Sequence, residues 1–391
     1  MKRIFFILTI CLISTGLLAQ QNLDFSKKVE VVSPQINSDN TVTFRLMAPN
    51  AKEVKLQGDW MPSEGWVTKL QDLQKDENGV WTFTTQVLPS DLYSYTFMVD
   101  GLKVIDPNNV YQVRDVATVM NIFLIEGGLG DLYKVQDVPH GTVARRWYDS
   151  PKLNSPRRIT IYTPAGYEAG KDKYPVFYLL HGMGGDEEAW MALGRASQIL
   201  DNLIAQGKAK PMIVVMTNGH TSNTAAPGES SKGFYKPDMR APDIFSGDME
   251  ANFGDVIKFV ESNYRVKADK QNRAIAGLSM GGFHSLYISA NYPNTFDYIG
   301  LFSPAILPPA NAASPIYIDI DAKLKTQQDN GYSLYWIGIG KTDFLFQNVV
   351  DYRSKLDSMK FKYQYRESEG GHTWANWRLY LSEFTPMLFQ K

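Results

Sequence analysis

Between Asn40 and Glu126, apolar and polar positions alternate over short runs: TVTFRLMAP, EVKLQGDW, GVWTFTTQVL, LYSYTFMVDG and VMNIFLI. This is the period-two pattern of half-buried strands. Turn residues punctuate the runs at Pro49-Asn50, Glu77-Asn78-Gly79, Pro89-Ser90 and Asp100-Gly101. Closely spaced short strands of this kind predict a small β-sandwich over residues 30–126. After Ile125–Asp131 (IEGGLGD), read as a flexible joint, the texture changes. The runs Tyr174–Leu180, Met212–Thr217, Arg273–Gly277, Tyr298–Phe302 and Leu334–Gly340 are continuously apolar and alternate with helical segments. In one such helix Met249, Phe253, Val256, Ile257 and Val260 share a face, with Asp255, Lys258 and Glu261 largely elsewhere. Apolar strands separated by helices predict a mostly parallel sheet covered on both faces, over residues 128–391.

Length and composition agree with two folded bodies and no disordered tract. The chain has 391 residues, of which 44% are hydrophobic and 21% charged. A formal net charge of -1 gives no reason to expect nucleic acid or an anionic membrane as partner. Residues 1–19 read as a secretory signal: Lys2 and Arg3 precede an apolar run from Ile4 to Leu18, with Ala19 as the cleavage position. That run is too short for a membrane span, so the expectation is an exported protein, periplasmic or secreted, without stable membrane insertion. The single cysteine, Cys11, lies inside this leader, which excludes disulfides and cysteine catalysis from the processed chain. No metal-ligand spacing occurs, so neither a metal nor a cofactor is expected.

The candidate chemistry centres on Gly277-Leu278-Ser279-Met280-Gly281, a G-x-S-x-G pattern lying after a strand and before a helix. There a serine occupies a tight strand-to-helix turn, and small neighbours are needed because adjacent chain approaches closely. The alternative is a structural glycine turn. A serine nucleophile needs an imidazole base, itself oriented by a carboxylate. Five histidines are available. His140 precedes the first strands of the second body, His284 lies on the helix after the serine, and His181 opens the loop HGMGG. His220, in TNGHTSN, remains a weak competitor. His372, in EGGHTWANWR, follows a strand-like run and precedes a helix, so its loop shares the sheet edge of the serine turn. Asp343 follows LYWIGIGKT directly and is the expected acid. Its alternative role is a helix cap, and Glu367 and Glu369 are the competing carboxylates. The oxyanion hole is expected from the amides of Met280, next after the nucleophile, and Met183, in the glycine-rich loop.

These elements together resemble a known family. RRITIYTPAGY, YPVFYLLHGMGGDEEAW, IAGLSMGGFHSL, GIGKTDF and GGHTWANWR resemble the esterase D-like carbohydrate esterases of family 1, which include feruloyl and acetylxylan esterases. The resemblance implies an α/β-hydrolase fold and carries nucleophile, acid and base onto Ser279, Asp343 and His372, with donors at Met183 and Met280. TVTFRLMAPNAKEVKLQGDW, ENGVWTFT, YSYTFMVDG and VIDPNN resemble the immunoglobulin-like early-set module at the N-terminus of isoamylases and branching enzymes. Such modules bind glucans in some relatives; Trp60 and Trp66 are the candidates for stacking on sugar, with packing in the core, common for large aromatics, as the favoured alternative, whereas Trp81 reads as core. Trp374 and Trp377, flanking the base, are expected either to line an acyl or sugar pocket or to pack the closing helix. The implied partner is a polysaccharide or small aromatic ester, with ferulate as first acyl choice and acetate second. Three alternatives stay open: a siderophore esterase, which would want a strongly basic pocket drawing on Arg145, Arg146, Arg157 and Arg158; acyl transfer to another sugar, since water is only one acceptor; and a non-catalytic carbohydrate-binding protein. Oligomeric state is not encoded in any of these patterns.

Overall fold

The computed structural model describes residues 31–64, 67–231, 233–239, 243–309 and 312–390. The leader and Trp66 lie outside the described residues. The C-terminal body is an eight-stranded sheet whose order, counted along the chain, is 1-2-4-3-5-6-7-8. The first two strands, Thr142–Ser150 and Ser155–Thr163, form an antiparallel hairpin, and the second pairs antiparallel with the fourth, Ile213–Thr217. The third (Val176–Leu180), fifth (Arg273–Leu278), sixth (Tyr298–Phe302), seventh (Leu334–Gly340) and eighth (Gln364–Ser368) continue in parallel.

The uninterrupted apolar runs have the physical cause expected of them. Every residue of the third, fourth, sixth and seventh strands is buried, because helices cover the sheet on both faces. One face buries Tyr178, Ile275, Leu286 and Ile337; the other buries Phe177, Ala276, Trp336 and Tyr380. This is the α/β-hydrolase architecture. One expectation is modified: the helix read across Met249–Val260 is two helices, Asp248–Ala251 and Phe253–Asn263, broken at Asn252, whose φ of -104° and ψ of 5° leave the helical region. Asparagine competes with the helix for its own backbone groups, which makes it a natural break.

The N-terminal body is a β-sandwich. One sheet orders Gln35–Ile36, Val42–Met47, Val80–Thr84 and Gln74–Lys75; the other is built on Gln112–Asp115, Thr118–Leu124, Leu92–Val99, Val54–Gly58 and Gln71–Asp72. Alternation along these strands points Phe44, Leu46, Val54, Leu56, Tyr95, Phe97 and Phe123 into a shared core. Trp81 is buried there too, with its indole N–H donating to the Ala48 carbonyl at 2.9 Å.

The glycine-rich joint between the bodies is pinned rather than loose. Ser90 donates its hydroxyl to the Ile125 carbonyl at 2.8 Å and accepts the Gly130 amide at 3.0 Å. Gly130–Tyr133 forms a helical turn, and the Asn202 side chain donates to the carbonyls of Leu132 and Lys134, each at 3.0 Å. The buried Arg378, from the last helix, reaches across to the Leu92 carbonyl at 2.6 Å and the Asp91 carboxylate at 3.0 Å. Among the described residues, no helix is long and apolar enough to cross a membrane.

Candidate active site

Ser279 joins the fifth strand to the helix Met280–Asn291. Its φ of 53° and ψ of -113° lie in sparsely populated territory for a residue with a side chain. Close approach of chain explains the glycines around it: a Cβ on Gly277 would collide with the backbone of Gly281, and one on Gly281 with the Leu180 carbonyl. The bend persists because its neighbours fix it. The Ser279 amide donates to the Phe302 carbonyl at 2.9 Å, and its own carbonyl accepts from Phe283 at 3.0 Å and Ala305 at 3.1 Å. The side chain is half-buried at the carboxyl edge of the sheet.

Asp343 and His372 leave that same edge, after the seventh and eighth strands. His372 Nδ1 lies 2.9 Å from Asp343 Oδ2 and 3.1 Å from Oδ1, and the carboxylate is fully buried. A carboxylate only accepts, so Nδ1 carries the proton and Nε2 is left with its lone pair as the basic nitrogen. Asp343 Oδ1 also accepts the Leu345 amide at 2.9 Å, a turn ahead of the helix Phe346–Ser358, whose N-cap position is Leu345 and carries no side-chain cap, so Asp343 is not the helix cap weighed as its alternative role. The imidazole is walled by the Phe344 ring at 4.6 Å and, edge-on, by Trp377 at 4.9 Å. The structure thus joins the candidate acid and base directly. It sets the serine on the same edge without a hydrogen bond from its hydroxyl to His372 among the described residues.

The other histidines have structural partners. His140 pairs with Asp201 at 3.1 Å, and His284 is buried against Glu250 at 2.8 Å. His181 and His220 hold the glycine-rich loop. His181 Nδ1 donates to the Gly182 carbonyl at 2.7 Å while Nε2 accepts the Gly219 amide at 2.7 Å. His220 Nε2 accepts the Gly184 amide at 3.1 Å. Both rings must be neutral to accept, and burial makes them so: His181 is lowered to about 3 and His220 to about 4. Sequence reasoning placed His181 in the loop and held His220 as a weak competitor for base; it missed their joint role in bracing the loop. Neither HGMGG nor TNGHT reveals that the two segments are adjacent, although both follow neighbouring strands.

With Gly184 bonded to His220 and Gly185 donating to the Gly182 carbonyl at 3.1 Å, the Met183 amide lies between two fixed points. The loop is close to the serine, since a Cβ built on Gly182 would lie 3.4 Å from Ser279 Cβ. Met280 supplies the first amide of the helix after the serine, where no intrahelical acceptor exists.

Trp374 and Trp377 pack the closing helix and also line a cavity. They stack edge-to-face on one another at 5.1 Å, and Trp374 packs on Trp190 at 5.4 Å. Together with His372 they also line a cavity of about 240 Å³ at the seam between the bodies, whose opposite wall includes Asp59, Tyr93, Asp115 and Met120 of the sandwich. The indole N–H of Trp377 is buried without a partner among the described residues. Trp60 is partly buried, its ring packing against the sandwich core at Phe44 (5.7 Å), Tyr93 (5.7 Å) and Phe123 (5.5 Å). A partly polar stretch, GDWMPSE, gave no sign that its tryptophan turns inward. Among the described residues, no cluster of His, Cys, Asp or Glu could hold a metal ion.

Comparison with known proteins agrees with this architecture. Residues 31–111 match the model described as carbohydrate-binding module 48 (isoamylase N-terminal domain). An endo-1,4-beta-xylanase/feruloyl esterase of Xylanibacter ruminicola is 30% identical over 367 residues, 91% of this chain and 46% of that relative. The chain therefore spans about half the length of that curated relative. A solved ferulic acid esterase is similar at 26% identity with a TM-score of 0.50, over 63% of this chain and 97% of that one. The enterobactin esterase FES from Shigella flexneri has a TM-score of 0.65 over 90% of this chain and 93% of its own, at 17% identity, a likeness of fold alone. The family model described as "Putative esterase" matches residues 150–388, and the chain belongs to that family of carboxylic ester hydrolases.

Proposed function

We propose that the protein is an exported serine esterase that removes acyl groups, feruloyl first and acetyl second, from plant polysaccharide such as arabinoxylan. The observation that carries this reading is His372, held through Nδ1 by both oxygens of a buried Asp343 on the sheet edge that also bears the strained Ser279. In the proposed cycle His372 Nε2 takes the Ser279 proton as Oγ attacks the ester carbonyl, and the resulting oxyanion is met by the amides of Met183 and Met280. Collapse breaks the bond to the sugar oxygen, which leaves with the proton held by His372. A water, deprotonated by the same nitrogen, then adds to the acyl-enzyme and releases the acid and the serine. Trp374 and Trp377 give the cavity beside the base an aromatic wall suited to a cinnamoyl ring.

The xylan assignment is supported by the likeness to the Xylanibacter endo-1,4-beta-xylanase/feruloyl esterase and by the sandwich joined to the hydrolase. The siderophore reading loses the basic pocket it called for. Arg157 donates to the carbonyls of Asn218, His220 and Thr221, and Arg158 pairs with Glu188 and Glu229. Arg145 pairs with Glu188, and Arg146 lies over Phe259 and Tyr264. The cavity beside His372 instead carries Asp59 and Asp115, with Arg378 already engaged. The test is hydrolysis of methyl ferulate, feruloylated arabinoxylan, an aryl acetate and a catecholate triester by the purified protein and by Ser279→Ala. Ferulate release by the wild type alone supports the proposal. Preference for the triester, or polysaccharide binding without turnover, would replace it with the siderophore or the binding alternative.

A further inference from the structure

The sandwich hairpin Gln112–Asp115/Thr118–Leu124 ends against the loop that carries the Met183 amide. Arg114 Nη2 lies 2.5 Å from Asp186 Oδ2, and Asp186 is nearly fully buried in that loop, two residues beyond Gly184. The other oxygen of Asp186 accepts the Glu188 amide at 3.0 Å, so the carboxylate is fixed from both ends. Arg114 Nη1 folds back onto the Val116 carbonyl at 2.9 Å and closes the hairpin tip. Val116 is held at φ 50°, a costly conformation for a β-branched residue. Its methyl groups fill the space above Gly184: a Cβ built there would lie 2.9 Å from Val116 Cγ2 and 3.0 Å from both Val116 Cγ1 and Met239 Cγ. Between the two, Asp115 lines the cavity beside His372 together with Trp374. Arg114 and Val116 thus touch the glycine-rich loop, and the residue between them lines the cavity walled by the helix that follows the base.

A loop containing Gly182, Gly184 and Gly185 has more backbone freedom than an oxyanion hole can tolerate, because donors stabilise a developing charge only if they are aimed before it forms. We infer that Arg114 and Val116 are positioning residues for that loop: the ion pair to Asp186 and the methyl contact over Gly184 fix the Met183 amide, so the sandwich is a working part of the acyl-transfer centre. The inference rests on the esterase reading above. It assigns the module a role that glycan binding would not require, and it places that role on the transition state rather than on substrate affinity.

The experiment uses the full chain with 4-nitrophenyl acetate, a substrate too small to sample an extended glycan surface. Arg114→Gln, Asp186→Asn, their double variant and Val116→Gly are compared for kcat, KM and thermal midpoint. Loss of positioning is expected to lower kcat roughly tenfold or more in Arg114→Gln while KM changes less than about threefold. The double variant should be no worse than the more impaired single one, since both remove the same link. Val116→Gly relieves the positive-φ strain, so its midpoint should equal or exceed the wild type while kcat still falls. Folded variants whose kcat stays within about twofold of the wild type, or that lose activity through KM alone, would overturn the inference. A wild type that leaves the acetate untouched, or a Ser279→Ala that cleaves it equally well, would instead remove the esterase reading beneath it.

Discussion

On the proposed acid-base side of the site, Asp343 and His372 hang from adjacent strands of one sheet, and the rings that enclose them, Phe344 and Trp377, belong to the same body. On the proposed oxyanion side, the loop His181–Asp186 is held by an imidazole of its own, by His220 from the loop after the fourth strand, and by Arg114 from the sandwich. The first side inherits its geometry from strand pairing, which is as stable as the core. The second is assembled from segments far apart in the chain, so perturbations distant from the serine should reach it. Chemistry lost on the acid-base side should be chemistry of proton transfer; chemistry lost on the oxyanion side should be loss of charge stabilisation.

The largest effect sharpens the contrast at its centre. Ser279→Ala or His372→Ala should each lower kcat by roughly 10⁴- to 10⁶-fold, and the double variant should be scarcely worse, because the two act as a unit. Asp343→Asn keeps the shape but changes which imidazole nitrogen holds the proton, with an expected loss of roughly 10³- to 10⁴-fold in kcat. Single-turnover release of ferulate measures both. On the oxyanion side the effects are smaller. His220→Leu leaves the Gly184 amide buried and unpaired, and kcat should fall roughly 10- to 10²-fold with KM little changed. His220→Gln retains an acceptor and should keep most of the turnover.

The smallest effect is read in pH dependence. His220 is lowered to about 4 in the folded protein by burial, against about 6.5 for a free histidine. Between those values the unfolded chain holds the extra proton, so the stability associated with neutral His220 is present above about pH 6.5 and is lost as pH falls toward 4. The thermal midpoint of the wild type relative to His220→Gln should therefore drop across that window. The difference between proteins is the right readout, because Glu187, raised to about 7 chiefly by burial, contributes an opposite slope over part of the same range. A pH-independent difference would show that His220 does not carry a depressed pKa.

The parallel strands and the serine bend were legible because each is a local pattern: a fully buried strand must be continuously apolar, and a tight strand-to-helix bend must shed side chains at Gly277 and Gly281. Asp343 and His372 were legible by position after strands, once the chain was read as a parallel sheet. What escaped depended on contacts between segments remote in sequence. His220 was weighed as a base because nothing near TNGHT reveals the Gly184 amide it accepts. Trp60 stayed open between sugar and core because a single aromatic next to polar residues does not announce whether it packs on Phe44 and Phe123. The IEGGLGD joint looked loose because its fasteners, Ser90, Asn202 and Arg378, lie elsewhere in the chain.

The central claim is that Ser279 Oγ is a nucleophile made reactive by the Asp343–His372 pair. Treatment with an aryl phosphonofluoridate, followed by peptide mass spectrometry and residual-activity assay, tests it in one measurement. The account predicts a single covalent adduct on the peptide containing Ser279, formed in step with loss of ester hydrolysis and absent in His372→Ala. An adduct on another residue, or full turnover after Ser279 is labelled, would contradict it.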